Sequence, residues 1–309
     1  MKPTIVMTEG LEAIPLEWGH KQACIIESSW KNLEQLQRDL ATADGLIVRT
    51  YTQVNELLLS QAPRLRAVGR AGVGLENIDQ VACQTHGIKV FSTPGANAHA
   101  VCEYVFNLIF QLGRPVINLQ QPVAAEEFHR YRKVIRGLEL CGKTMGIIGM
   151  GRIGRLVGRA ACAFGMNVLY NDVVDVAQYV DFAAKSVDKP TLYAQADVIS
   201  IHVSHRPGNR GMIDAAALAQ CRPDSLLINT SRGEVIDAAA LAAALRQNRV
   251  AGAALDVHDP EPPGPDYPLW GCPNCILAPH LAARTQGAMD AMSWVVRDVV
   301  EYLQAAAKA

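Results

Sequence analysis

Residues 144–154, TMGIIGMGRIG, place a short apolar run directly before the pattern Gly-x-Gly-x-x-Gly. The run predicts a buried strand, and Arg155–Phe164 has the spacing of a helix. In such a strand–loop–helix unit Gly149 permits a tight turn, Gly151 lets the backbone approach a pyrophosphate, and Gly154 lets the helix pack closely on the strand. The amino terminus of the helix offers N–H groups to phosphate oxygens. This segment therefore predicts a dinucleotide-binding α/β unit.

An acidic residue follows the next predicted strand. NVLYN (167–171) ends just before Asp172, at about the spacing at which a carboxylate accepts hydrogen bonds from the adenosine ribose hydroxyls. A carboxylate there repels a 2′-phosphate, so Asp172 favours NAD over NADP. The alternative is a structural glycine-rich turn followed by a surface aspartate.

Short apolar runs alternate with amphipathic stretches along most of the chain, which is typical of βαβ units with a parallel sheet. We predict an α/β protein with two doubly wound parallel-sheet domains of the Rossmann or flavodoxin type and a cleft between them. The substrate-binding domain comprises residues 1–98 plus 285–309, and the NAD-binding Rossmann domain comprises residues 99–284. The predicted strands are TIVMT (4–8), ACIIES (23–28), GLIVR (45–49), RAVGR (66–70) and KVFST (89–93), then TMGIIG (144–149), NVLYN (167–171), ADVISI (196–201), SLLIN (225–229), AGAALDV (251–257) and CILAP (275–279).

The composition excludes several classes of protein. The 309 residues are 50% hydrophobic, and 29 basic against 30 acidic residues give a net charge of −1. A broad basic surface for nucleic acid or anionic lipid is therefore not expected. No run of about 18 apolar residues predicts a membrane span, and the N-terminus lacks the pattern of a secretory signal, so we expect a cytoplasmic protein. The single pair Cys272–Cys275 has no second pair at zinc spacing, so no metal is expected.

Three polar residues follow predicted strands of the inner domain, where open α/β sheets place their ligands. Arg232 is the third residue after SLLIN, and its planar guanidinium suits a carboxylate. Glu261 follows AGAALDV, and His280 follows CILAP. A carboxylate beside an imidazole stabilises its protonated form, as a general acid and base working near neutral pH requires. Read separately, each of these residues also fits a structural role.

The ordered set of motifs GIIGMGRIG, ADVISIH, LLINTSRGEVID, ALDVHDPEPP and APHLAA resembles the D-isomer-specific 2-hydroxyacid dehydrogenase family over essentially the whole chain. The resemblance implies an NAD-dependent enzyme that transfers a hydride between the nicotinamide and C2 of a D-2-hydroxy acid or 2-oxo acid. His280 would exchange the proton, Glu261 would hold and charge His280, and Arg232 would bind the substrate carboxylate. The implied cofactor-binding residues are Gly149, Gly151, Arg152, Ile153, Gly154, Asp172, His202, Val203, Thr230, Ser231, Asp256, His280 and Ala282. Asp256 would bond the nicotinamide carboxamide.

The first domain supplies the remaining substrate candidates. After the strand RAVGR, the loop Gly72-Val73-Gly74 can offer backbone N–H groups to a carboxylate. Arg49 and Arg70 also follow predicted strands, and both are similar to positions of 3-phosphoglycerate dehydrogenases, where positive charge suits a phosphate. An ordinary turn and salt bridges to acidic residues are the alternatives. Asn97 either contacts the substrate or caps the following helix.

The best substrate prediction is the pair 3-phosphoglycerate and 3-phosphohydroxypyruvate, and hydroxypyruvate or glyoxylate reduction is the alternative. A function of another class also stays open, namely an NADH-sensing binding protein like the C-terminal-binding-protein corepressors. Three positions depart from the family pattern: Ser204 replaces a proline, His258 stands where an aromatic residue is frequent, and His99 replaces a small or hydroxyl residue. His258 and His99 are expected to face the substrate.

The resemblance also predicts a homodimer. The segment Gln111–Leu140, which has mixed apolar and basic character, lies in the dimer interface of the resembled family. No nucleic acid or membrane partner is expected.

Overall fold

The structure, a computed structural model, describes residues 2–114 and 116–307. Four residues lie outside this description. Met1, Lys308 and Ala309 are at the ends of the first predicted domain, and Pro115 is in the predicted dimer segment.

The chain divides into two compact units. The first contains Met1–Asn97 and Ala283–Ala309, and the second contains Ala98–Ala282. Each unit has one sheet in which all pairings of the described strands are parallel, five strands in the first and seven in the second. The predicted α/β class with two parallel sheets is therefore confirmed.

The elements follow one another in the alternating order that the sequence predicts. The strands are β1 (Thr4–Met7), β2 (Cys24–Glu27), β3 (Gly45–Val48), β4 (Ala67–Arg70), β5 (Lys89–Phe91), β6 (Thr144–Ile148), β7 (Asn167–Asn171), β8 (Lys185–Ser186), β9 (Val198–Ile201), β10 (Leu226–Asn229), β11 (Gly252–Leu255) and β12 (Cys275–Leu277). The helices are α1 (Ala13–Gln22), α2 (Leu33–Leu40), α3 (Glu56–Leu59), α4 (Gln80–Thr85), α5 (Ala98–Gly113), α6 (Ala125–Val134), α7 (Arg152–Ala163), α8 (Lys189–Gln195), α9 (Ala215–Gln220), α10 (Ala238–Arg246), α11 (Gln286–Ser293) and α12 (Val295–Ala306). Of the helices in the described ranges, none combines the length and the apolar character needed to cross a membrane.

The first unit has the strand order β2-β1-β3-β4-β5. Helix α12 covers one face of this sheet through Val295, Val299 and Leu303, which are almost completely buried. Gly69 makes this close packing possible, since a Cβ there would lie 2.6 Å from a methyl group of Val299. Because β3 and β4 pair in register with Val48 beside Arg70, the residues that follow them lie together at the carboxyl edge of the sheet.

The second unit has the strand order β12-β11-β10-β9-β6-β7-β8. Strand order reverses between β6 and β9, and in open α/β sheets ligands bind at such a switch point, outside the carboxyl ends of the strands. The strands β9, β10 and β11 are buried along their whole length between two apolar clusters. The loops after β6, β9, β10, β11 and β12 therefore emerge side by side at one edge, and they carry the site.

Candidate active site

The glycine loop after β6 has the backbone geometry that its sequence predicts. Gly149 has φ +93°, a conformation that favours glycine. Gly154 packs against the loop so closely that a Cβ would lie 2.2 Å from the Gly149 carbonyl oxygen. Gly151 is the N-cap of α7, and a Cβ built on it meets nothing within 4 Å. The loop therefore leaves open space at the amino terminus of a helix, which fits a pyrophosphate.

Asp172 lies beside this loop and helps to hold it. Its carboxylate accepts hydrogen bonds from the backbone N–H of Met150 at 2.7 Å and of Val174 at 3.0 Å. A cavity of about 230 Å³ opens at this point, and its lining includes Gly151, Asp172 and His202. Arg152 and Ile153, the first residues of α7, follow the loop directly.

His202 follows β9 and packs against the glycine loop. Its backbone N–H donates to the Ile148 carbonyl at 2.7 Å, and its ring Nε2 lies 2.8 Å from the Ser200 hydroxyl. Burial lowers the pKa of His202 to about 3, so its ring is neutral near neutral pH. A neutral imidazole, with half-buried Val203 after it, suits the uncharged part of a dinucleotide.

The loop after β10 carries Arg232, and the buried side chain of Asn229 shapes it. The Asn229 amide donates to the Arg232 carbonyl at 2.9 Å, and its oxygen accepts from the Ser231 N–H at 3.0 Å and hydroxyl at 2.8 Å. The Arg232 guanidinium donates through Nη1 to the Ser231 carbonyl at 2.6 Å. The hydroxyl of Thr230 is buried without a hydrogen-bond partner in the described chain, a position that a bound ligand can satisfy.

His280 and Glu261 form a pair. Nδ1 of His280 lies 3.0 Å and 3.1 Å from the two carboxylate oxygens of Glu261. This hydrogen bond raises the pKa of His280, while burial and the positive charge of Arg232 act in the opposite direction. These three side chains stand on the loops that follow the neighbouring strands β10, β11 and β12. Because Glu261 engages Nδ1, Nε2 is the nitrogen left to exchange a proton with a substrate.

Asp256 holds the turn on which His280 stands. His280 has φ +57°, which is uncommon for a residue with a side chain. The Asp256 carbonyl accepts from the His280 N–H at 2.9 Å, and its carboxylate accepts from Leu281 and Ala282 at 2.7 and 2.8 Å. Burial raises the pKa of the fully buried Asp256, and the two backbone hydrogen bonds oppose that rise. These contacts give Asp256 a clear structural role beside the predicted contact to a carboxamide.

In the first unit, Arg49 and Arg284 converge on one sulfur atom. The Arg49 guanidinium donates to Met289 Sδ at 3.6 Å and to the Ser293 hydroxyl at 3.0 Å, and Arg284 donates to the same sulfur at 3.5 Å. Burial and the positive charge of Arg284 lower the pKa of Arg49, against the opposing charge of Glu12. The guanidinium of Arg49 thus donates to a hydroxyl and a thioether, while its backbone N–H donates to the Glu9 carboxylate at 3.1 Å. A guanidinium without a hydrogen bond to a carboxylate suits an added anion.

The other predicted substrate residues of the first unit lie at the same sheet edge or after it. The Arg70 guanidinium lies across Gly72, where a Cβ would come within 1.7 Å of its Nη1. The Gly72 N–H already donates to the Arg70 carbonyl at 2.8 Å, so Val73 and Gly74 are the better candidates for anion binding in this loop. Asn97 directly precedes α5, and His99 in its first turn is exposed.

The structure thus gathers the predicted residues into three groups. One contains the glycine loop, Asp172, His202 and Val203, a second contains residues 230–232, Asp256, Glu261, His280 and Ala282, and a third contains Arg49, Arg70 and residues 72–74. Four residues that no sequence motif indicated hold or accompany these groups, namely Asn229, Arg284, Met289 and Ser293. The expectation that His258 faces the substrate is wrong, because its side chain is only 7% exposed and is hydrogen-bonded inside the second unit.

The chain is similar to known proteins over most of its length. Residues 106–282 match the family model described as D-isomer specific 2-hydroxyacid dehydrogenase, NAD binding domain. The (S)-sulfolactate dehydrogenase of Chromohalobacter salexigens is 42% identical over 260 residues, which are 83% of this chain and 83% of that protein. The D-3-phosphoglycerate dehydrogenase of Archaeoglobus fulgidus is 32% identical over 296 residues, 95% of this chain and 56% of that protein.

The chain spans about half the length of the curated D-3-phosphoglycerate dehydrogenases that it matches. Among solved structures, a glyoxylate reductase from Paecilomyes thermophila is similar with a TM-score of 0.84 and 26% identity, covering 98% of this chain and 96% of that one.

Proposed function

The chain belongs to the D-isomer specific 2-hydroxyacid dehydrogenase family, and from this premise we propose that its substrate is a 2-hydroxy acid with a sulfonate or phosphate at its far end. The family makes it a nicotinamide-dependent dehydrogenase. The pair of Arg49 and Arg284 supports a substrate with a sulfonate or phosphate, because it offers two guanidinium groups to a second anion. Two relatives are named for acids of this kind, sulfolactate and 3-phosphoglycerate.

In this proposal the second unit holds the nicotinamide cofactor. Gly151 and the amino terminus of α7 receive the pyrophosphate, and Asp172 receives the adenosine ribose and selects NAD over NADP. When bound, the nicotinamide supplies or accepts the hydride. His202, Val203, Thr230 and Ser231 lie on the loops that follow β9 and β10, next to the glycine loop.

The protein groups supply the proton and the orientation of the substrate. Arg232 binds the substrate carboxylate and polarises the 2-oxo group. His280 donates its Nε2 proton to the oxygen at C2 during reduction and takes it back during oxidation. Glu261 keeps His280 in the required tautomer and raises its pKa, so that the imidazole is protonated at higher pH than an isolated histidine.

A panel of 2-oxo acids tests the substrate class. Sulfopyruvate, 3-phosphohydroxypyruvate, hydroxypyruvate and glyoxylate are each assayed with NADH and with NADPH. We expect kcat/KM for an acid with a second anionic group to exceed that for glyoxylate by about tenfold or more, because a hydrogen bond to a charged group contributes about 1.5–3 kcal/mol. NADH should be preferred to NADPH. Equal or faster turnover of glyoxylate contradicts the proposal, and tight NADH binding without any turnover favours an NADH-sensing binding protein.

Arg49→Gln sharpens this experiment. The substitution should lower kcat/KM by about tenfold or more for the acid with a second anionic group. It should lower kcat/KM for glyoxylate much less, because glyoxylate has no second anionic group. Arg66→Gln is the matched control, since Arg66 lies before β4 at the amino-terminal edge of the same sheet and contacts Asp44. An Arg49→Gln enzyme that loses activity equally on all acids would show that Arg49 does not recognise the second anion.

We also infer that the protein is a homodimer whose interface includes residues 116–137. Helix α6 buries none of its residues, and Val116, Phe128 and Val134 expose 89%, 42% and 64% of their surface. Such an exposed apolar surface supports a contact with a second copy. Light scattering should give about twice the chain mass of 33.4 kDa, and Phe128→Glu combined with Val134→Glu should lower it. A wild-type monomer would contradict the inference.

A further inference from the structure

The buried side chain of His258 lies where the segments that bear Arg232, Glu261 and His280 meet. Its Nε2 is 2.9 Å from the carbonyl oxygen of Ala278, and its Nδ1 is 3.4 Å from the hydroxyl of Tyr267. Both His258 and Tyr267 are only 7% exposed. The ring of Tyr267 also packs edge-on against His258. No step of the mechanism described above uses this residue.

These contacts fix the proton on the His258 ring. A carbonyl oxygen can only accept a hydrogen bond, so Nε2 must carry the proton that it donates to Ala278. Nδ1 faces the hydroxyl of Tyr267, and burial raises the pKa of that hydroxyl to about 12. His258 thus bridges a backbone carbonyl and a tyrosine hydroxyl, with both ring nitrogens engaged.

The bridge joins the catalytic segments through very short stretches of chain. His258 lies in the same loop as Glu261, after β11. Ala278, which receives its hydrogen bond, precedes Pro279 and His280. Gly233, directly after Arg232, packs on the backbone of His258, where a Cβ would lie 2.0 Å from the His258 carbonyl oxygen. A change at His258 therefore reaches all three segments.

We propose that His258 is a positioning residue that sets the distance between Glu261 and His280 by tying the loop after β11 to the end of β12. The proposal rests on the proposed dehydrogenase function for its catalytic consequence. Without the Nε2 donor the buried carbonyl of Ala278 loses its partner, and buried carbonyls without partners are rare because they are costly. The segment before His280 then shifts to regain a partner, and the imidazole moves relative to Glu261.

His258→Phe and His258→Gln separate this role from simple packing. Phenylalanine keeps an aromatic ring but has no donor, whereas glutamine can still donate to the Ala278 carbonyl. We expect kcat of His258→Phe to fall about 10- to 100-fold, since small displacements of catalytic groups cost up to about 10²-fold. The affinity for NADH should stay within about twofold, and His258→Gln should recover most of kcat. His86→Phe, on the surface of the first unit, is the matched control.

The same variants give a readout that does not depend on the substrate. In NMR titrations the pKa of His280 should be lower in His258→Phe than in the wild type, because the Glu261 hydrogen bond is the largest cause of its rise. The other charged groups acting on His280, Asp256 and Arg232, keep their charges in this comparison. Failure of the wild type to reduce any 2-oxo acid would refute the proposed function alone. A folded His258→Phe with wild-type kcat and His280 pKa, or a His258→Gln as impaired as His258→Phe, would overturn the positioning role.

Discussion

Replacement of His280 by alanine lowers kcat for 2-oxo acid reduction by about 10²- to 10⁴-fold, the usual contribution of a general acid, while NADH binds nearly as before. The reason is that, of Arg232, Glu261 and His280, the imidazole of His280 is the side chain that suits general acid catalysis near neutral pH. Its partner Glu261 engages Nδ1, which leaves Nε2 for proton exchange with the proposed substrate. Steady-state turnover measures the loss of kcat, and the fluorescence of NADH measures its binding to the variant.

The pH dependence provides the control for this result. Reduction requires protonated His280, so its rate falls as the pH rises through the raised pKa. Glu261→Gln removes the largest cause of that rise, so the falling limb should move to lower pH. Oxidation requires the neutral imidazole, and its rising limb should move to lower pH as well. A His280→Ala enzyme with normal turnover, or a Glu261→Gln enzyme with an unshifted profile, contradicts the assigned proton transfer.

Except for β8, the sequence predicted the strands of both sheets, because these strands are short apolar runs. NVLYN coincides with β7, and ADVISI extends β9 by two residues at its start. Strand β8 was missed because it has only two residues, Lys185 and Ser186, both exposed and held by backbone pairing with β7. The terminal helical stretch is interrupted at Trp294, which separates α11 from α12.

For the proposed site, the sequence indicated the residues to which chemistry is assigned but not those that hold them. Arg232, Glu261 and His280 stand in the loops after β10, β11 and β12, and parallel strands bring their carboxyl ends to one edge. Met289 and Ser293 hold Arg49 from more than 200 positions away in the chain, and no local pattern encodes such a contact. His258 was expected to face the substrate because it stands where the resembled family frequently has an aromatic residue, yet its ring is buried against Tyr267 and hydrogen-bonded to the Ala278 carbonyl.

Replacement of Arg232 by lysine raises KM for the 2-oxo acid and lowers kcat/KM by about 10- to 100-fold, because hydrogen bonds to charged groups contribute about 1.5–3 kcal/mol. Lysine keeps the positive charge but loses the planar fork that binds a carboxylate through two parallel hydrogen bonds. Arg232→Gln should be more severe, since it loses both. An unchanged KM in both variants would remove Arg232 from carboxylate binding.

The pH profile distinguishes recognition by Arg232 from a merely structural effect. The positive charge of Arg232 lowers the pKa of His280. Arg232→Gln should therefore raise that pKa and move the falling limb of reduction to higher pH, opposite to the shift in Glu261→Gln. Arg232→Lys, with the charge retained, should leave the limb near its wild-type position. If Arg232→Gln only loosened the loop that Asn229 holds, the pairing of His280 with Glu261 would weaken and the limb would move to lower pH instead. The sign of the shift thus decides whether the guanidinium acts on the reacting groups directly.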